Sequence, residues 1–410
     1  MKKLALAFLL TASLQATAKS VVNDPQVKTL QVVVNQDWLS PPVMRLGSSD
    51  VLNIGFDELS HTFHRYTYRL EHCEADWSPS EAIFESDWLE GFNNNVIEDY
   101  ENSLNTTVLY THYWLQIPND RCRLKMSGNY RLYVYDEDGD SDEAVLCAEF
   151  RVVEPLVNVG LSVTTNTDVD FNQSHQQVAM TVNYNGLNIT NEEEQIRTVV
   201  MQNGREDNQK ENVRPNYVRV GEMKWEHNRG LIFDAGNEYH KFEVLDVSHP
   251  TMGIEHIAWD GEHYQAYPFV NTPRLNYLYD QDADGSFYIR NSDNIENDRT
   301  CDYVYVNYKL MPANLYNADV VIEGNWTTEN PTNYVMTYDE LDKSYNAQIL
   351  QKQGYYSYQY LLRDQDGQTG IMPEEGSFFQ TENRYQAFIY YKGVSERTWR
   401  LVGYQQIVLR

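Results

Sequence analysis

Apolar and polar positions alternate with period two along most of this chain, which is the pattern of half-buried strands. In the first third the alternation covers residues 29–34, 50–56, 63–72, 108–117, 130–135 and 144–153. The last two flank the acidic, Gly-bearing stretch 136–140, which reads as a hairpin loop. One helical candidate spans residues 95–103, and Pro155 closes the unit. A second unit shows strands at 157–165, 177–184, 196–202, 231–234, 239–246, 254–259, 275–279 and 286–290. Within it, the polar stretch 203–216 reads as an exposed loop. After the polar run 291–300, a third unit follows with strands at 303–308, 319–323, 345–350, 354–360, 385–392 and 400–408. The expected class is all β, as tandem immunoglobulin-like β-sandwich domains over 19–155, 156–298 and 299–410, without the immunoglobulin Cys and Trp spacing.

Residues 1–18 stand apart. Lys2 and Lys3 precede the apolar run 4–14, and Ala16-Thr17-Ala18 supplies small residues, so a secretory signal cleaved after Ala18 is expected. The apolar run is too short to cross a bilayer, and no later stretch approaches the required length. An exported chain without membrane insertion follows. Composition adds an acidic surface: net charge is −28, and removing Lys2 and Lys3 makes it −30. That field repels nucleic acid, which is set aside as a partner, and favours cations or basic partners.

Candidate chemistry is sparse. Asp280, Asp282 and Asp284 occupy the first, third and fifth positions of a calcium-loop pattern, with Gly285 at the sixth. The twelfth position holds Asn291 in place of the bidentate Glu, so a turn of solvated acids is the reading preferred over calcium, and no cofactor is expected. Of Cys73, Cys122, Cys147 and Cys301, the pair Cys122–Cys147 flanks one predicted hairpin and is the first disulfide to consider, against buried free thiols. No serine-hydrolase, zinc-protease, dinucleotide or phosphate-loop motif is present. Aromatic side chains are the remaining lead, with 31 Tyr and 8 Trp. Half of those on alternating strands point inward; the others are free to meet a sugar or a protein.

Several motifs then resemble one family. They are HCEADW (72–77), SPS (78–80), EGFNNN (90–95), YTHYWLQIPN (110–119), SGNYRLYVY (127–135), VMQNGR (200–205), GNEYHKFEV (236–244), CDYVYVNYKL (301–310), LQKQGYYSYQYLL (350–362) and EGSFFQTEN (375–383). Together these resemble the type IX secretion system plug protein family of Bacteroidota, in collinear order over nearly the whole chain. The resemblance implies a non-enzymatic periplasmic protein, monomeric alone. It would close the periplasmic opening of the giant outer-membrane translocon barrel while no cargo is engaged. The family defines no catalytic or cofactor residues. Partner contacts are expected at Trp77, Trp88, Tyr356, Tyr358, Tyr360, Phe378 and Phe379. The alternative is an exported glycan-binding β-sandwich protein, which burial of Trp326 and of Tyr356 to Tyr360 would count against.

Overall fold

A computed structural model describes residues 19–139 and 143–409. The signal-peptide reading of residues 1–18, and part of the 136–140 loop, lie outside the described residues. Among those described, no helical element exceeds four residues, and strands carry the fold.

The first domain is two main sheets facing one core, with a two-stranded sheet of Leu89–Gly91 and Cys122–Leu124 beside them. One sheet orders Val21–Val22, Leu146–Val153, Gly128–Asp136, Tyr66–Cys73 and Asn95–Val96, with Val43–Arg45 paired in parallel to Leu146–Val153. The other orders Val27–Val34, Leu52–Glu58, Thr111–Ile117 and Asp99–Asn102. Alternation puts Leu52, Ile54 and Phe56 from one sheet opposite Tyr130, Leu132 and Phe150 from the other, all essentially without exposure. Phe56 and Tyr113 stack at 5.5 Å, and Tyr130 and Phe150 at 5.4 Å. The expected helix at 95–103 is two short strands instead. Asn95–Val96 pairs with Tyr68 and Thr67, and Asp99–Asn102 lines the free side of Thr111–Ile117. With Asp99 to Asn102 all exposed there is no apolar stripe to dock a helix, and sheet pairing satisfies the backbone.

Two more sandwiches follow, and they are interleaved. The chain builds Asn158–Thr164, His175–Asn183, Ile196–Gln202, Arg205–Glu211, Tyr217–Arg219, Glu222–Trp225 and Ile232–Asp234, then leaves. It returns only at Asn383–Tyr391, which pairs with Ile196–Gln202 on one side and Arg400–Leu409 on the other. The intervening residues form the third domain. Its sheets centre on Gly354–Arg363 and on Tyr303–Leu310 with Ser344–Lys352, around a core containing Phe242, Tyr308, Trp326 and Tyr356. The sheets therefore group differently from the contiguous units expected at 156–298 and 299–410. The last two strands complete the second sandwich, and residues from His240 onward belong to the third.

Three local expectations also change. The polar stretch 203–216 contains the strand Arg205–Glu211, whose charged residues occupy a sheet edge, where they oppose edge-to-edge pairing. Tyr264–Pro268, unpredicted, is a strand. Residues 275–279, predicted as one, are not.

Candidate interaction surface

The block around 72–80 is a joint between domains. Glu74 accepts from the Thr398 hydroxyl at 2.9 Å and the Trp399 amide at 3.1 Å, and the Ser80 and Thr398 hydroxyls lie 3.1 Å apart. Tyr390 donates to Asn129 at 2.8 Å. The Arg151 guanidinium sits 4.8 Å from the Trp77 ring and 4.5 Å from the Phe388 ring, and reaches Glu206 at 3.2 Å. Around this polar frame, Val153 packs with Val199, Met201, Phe388, Trp399 and Leu401. One sheet of the second domain is thus apolar on both faces: one covers its own core, the other covers the first domain.

The third domain meets the first through a knot of buried charge. Asp57 and Lys352, both with fully buried side chains, pair at 2.7 Å. His112 Nδ1 lies 2.7 Å from the same carboxylate, and the Tyr303 hydroxyl donates to it at 2.6 Å. Lys352 also donates to the Asp298 carbonyl at 2.6 Å and lies 4.2 Å from the Tyr110 ring centroid. Burial opposes ionisation of Asp57, but Lys352 and His112 outweigh it and hold its carboxyl below the usual range. Nearby, Asp302 accepts from the Thr107 amide and hydroxyl, each at 2.8 Å. The crossing between second and third domains is laced too. Phe378 N donates to Gly236 O, and Asn383 Nδ2 to Ala235 O. His240 and Arg274 pair with the buried Glu375.

These contacts locate the residues expected to meet a partner. Trp77 and Trp88 are buried, Trp88 against Tyr130 at 5.8 Å, so neither offers a ring to the outside. Tyr356, Tyr358 and Tyr360 point into the third core. There Tyr356 donates to the Lys352 carbonyl at 2.6 Å, while Asn271 donates to the Tyr358 and Tyr360 hydroxyls. As folded, these five are structural. Alternation had left open which face of 354–360 pointed inward; the Tyr356 face does, with Trp326 stacked edge-on at 5.6 Å. Phe378 and Phe379 are half-buried in the loop that returns to the second domain.

The three acids of the calcium pattern diverge. Asp280 pairs with Lys241 at 2.5 Å, Asp282 accepts from the Tyr239 and Asp284 amides, and Asp284 lies 3.4 Å from Arg384. Burial, with Asp284 beside it, pushes Asp282 up to about 8, and burial pushes Asp284 up to about 6. Among the described residues, no group of three or more His, Cys, Asp or Glu is placed to hold a metal ion. All four cysteines are free thiols, so the Cys122–Cys147 pairing is not made, and the Cys122 sulfur lies 3.5 Å from the Tyr68 hydroxyl instead. Where the first and third domains meet, Trp38, Tyr288, Tyr355, Met252, Glu243 and Arg290 line an open groove of about 590 Å³. Trp38 and Tyr288 lie 5.4 Å apart there.

Asp57, Lys352, Arg151 and Glu206 were missed in the sequence because their partners are remote; Asp57 and Lys352 are 295 positions apart. Asp57 and Arg151 alternate with the core residues Phe56, Phe150 and Val152 and so lie on the outward faces of their strands, where a charge is ordinary and marks nothing.

Residues 27–154 match the family described as the type 9 secretion system plug protein 1st domain. Among solved structures, the chain is similar to a hypothetical protein from Parabacteroides merdae ATCC 43184, known from a crystal structure at 2.30 Å. The two are 36% identical, with a TM-score of 0.92 over 95% of this chain and 99% of that one. No curated protein matches.

Proposed function

The chain belongs to the type 9 secretion system plug protein family, and from that premise we propose that it closes the periplasmic opening of the outer-membrane translocon barrel while no cargo is engaged. In this reading it is exported, periplasmic and non-enzymatic, and acts by covering a pore. The observation that carries the proposal is the family match over the first domain, because that domain braces both others through the Arg151 and Asp57 joints. A cover over a wide opening must keep its shape against diffusing solutes, and buried, hydrogen-bonded joints supply that stiffness. The contact with the barrel must also release, which favours a polar-rimmed interface over a continuous apolar one.

The test is recovery of the barrel from detergent-solubilised outer membranes on the immobilised mature chain, together with small-molecule permeability after deletion. Absence of the barrel, or unchanged permeability, removes the proposal.

The glycan-binding alternative loses its original support, since Trp326 and Tyr356 to Tyr360 are core residues. The Trp38–Tyr288–Tyr355 groove is the one observation still favouring it, as partly exposed rings beside Glu243 and Arg290 suit a sugar. Oligosaccharide titration followed by Trp38 fluorescence, compared with Trp38→Phe, tests this; no saturable change retires it.

A further inference from the structure

Residues 275–279, Leu-Asn-Tyr-Leu-Tyr, have the alternation of a strand and form none. Leu275 is 83% exposed and Leu278 80%. Among the described residues, none of 275–281 makes a backbone–backbone hydrogen bond. Yet the segment is pinned. Before it, the Arg274 amide donates to Glu374 O at 2.8 Å. Within it, the Tyr277 hydroxyl donates to Glu238 at 2.6 Å, with Gln380 O 3.1 Å away. After it come the Asp280–Lys241 pair and the Tyr239 amide on Asp282.

The apolar surface extends beyond this run. The Asn271 amide donates to Lys309 O and the Met311 amide to Asn271 O, which places exposed Phe269 and Val270 near exposed Met311. Ala313 and Asn314 donate to the side chain of Glu374, whose carbonyl holds the Arg274 amide, so exposed Leu315 follows a segment tied to the start of the run. Such a patch, fixed in place but covered by none of the described residues, is the mark of an interaction site. The exposed charge beside it is acidic, carried by Asp280 and Glu374 on a chain of net charge −28. The nearby cations Lys241, Arg274 and Arg384 are each held by a carboxylate, Asp280, Glu375 and Asp284 in turn. A matching surface is apolar and basic, and the backbone of 275–280, which makes no backbone–backbone bond, can bond an added extended segment.

We propose that residues 269–281 are the strip that docks the translocon, and that the partner presents an extended segment of apolar side chains flanked by Lys or Arg. This deepens the plug reading and rests on it. The experiment compares barrel recovery from detergent-solubilised outer membranes on the intact mature chain and on two variants. The Leu275→Ser/Leu278→Ser double variant removes exposed apolar surface, and Asn276→Arg places a cation in the acidic border. Recovery is expected to fall about tenfold for the double variant and several-fold for Asn276→Arg, with unchanged melting temperatures. Recovery by the parent chain is expected to fall as salt rises from about 50 to about 500 mM. If the parent recovers the barrel and both variants do so equally, the strip is wrong while the plug role stands. Salt-insensitive recovery overturns the basic partner. If the parent recovers no barrel, the plug role falls and the strip with it.

Discussion

Replacing Lys352 with Met tests whether the first and third domains are locked by buried charge. Methionine keeps much of the lysine stem but removes the ammonium. Asp57 is then left fully buried, with only His112 and the Tyr303 hydroxyl as partners. At the observed 2.7 Å separation, an effective dielectric of about 20 gives a gross attraction of about 6 kcal/mol. Much of that offsets the desolvation of both ions, and removing one partner of such a pair costs about 3–5 kcal/mol. The lower half of that range is expected, because two hydrogen bonds to Asp57 survive. In the Asp57→Asn/Lys352→Met double variant no charge is stranded, and its cost should fall short of the summed single costs by about 2 kcal/mol. Urea unfolding, with hydrogen exchange resolved over Leu52–Glu58 and Tyr303–Leu310, reads both the energy and its place. A Lys352→Met cost below about 1 kcal/mol, or strictly additive variants, would refute the lock. Acid provides a second reading with a defined sign. The folded-state carboxyl of Asp57 titrates below its unfolded value near 3.8, so the contribution is complete above that pH. It is lost as pH falls through the folded value, and Asp57→Asn should abolish that part of the acid response.

Asp282→Asn should have the opposite pH signature. With the folded carboxyl pushed up to about 8, its stabilising contribution is full below about 3.8 and fades as pH rises through 8. The amide can still accept from Tyr239 and Asp284, so the variant should gain on the parent in melting temperature between pH 5 and 9; an equal difference at both values defeats the assignment. Trp77→Ala removes the ring packed beside Arg131 and Arg151 and should cost about 3 kcal/mol, with faster proteolysis at the 153–157 junction; a cost confined to a few tenths would show that the joint does not depend on it. Burial pushes the Cys147 and Cys301 thiols up to about 12, so melting should be identical with and without reductant and alkylation should await unfolding; a reductant-sensitive melting curve contradicts the free-thiol state.

Alternation made the strands legible because a two-sheet sandwich writes itself into every second residue. Leu52, Ile54 and Phe56 are each fully buried, and so are Val304, Val306 and Tyr308 to within one per cent. What alternation does not encode is the pairing partner. Asn383–Tyr391 reads as a strand wherever it lies, and nothing local reveals that it pairs with Ile196–Gln202 across an inserted domain. One clue was present: Phe388 and Tyr390 alternate with Ala387, Ile389 and Tyr391, so both faces are apolar and both need cover. The aromatic expectations failed for a related reason. Tyr and Trp are wet at one end and apolar at the other, so composition cannot assign them to core or surface. Here buried hydroxyls find backbone or amide partners, as Tyr356 and Tyr360 do. The motif HCEADW correctly marked the family, but its side chains serve an internal joint. A sequence comparison sees both roles as one signal.

Joint and strip together set an order of strengths. Separating the first domain from the others would expose Phe388, Tyr390 and Leu401 and break the Asp57–Lys352 and Arg151–Glu206 pairs. Burial of each large apolar side chain is worth about 1.5–3 kcal/mol. Detaching a partner from residues 269–281 uncovers less. Leu275 and Leu278 return to water, the backbone of 275–280 exchanges a partner's bonds for water's, and Lys241, Arg274 and Arg384 keep their carboxylates. A load on the docked protein therefore breaks the outer contact before the inner ones. The three sandwiches leave as one piece, still folded and able to dock again, which a reversible cover requires.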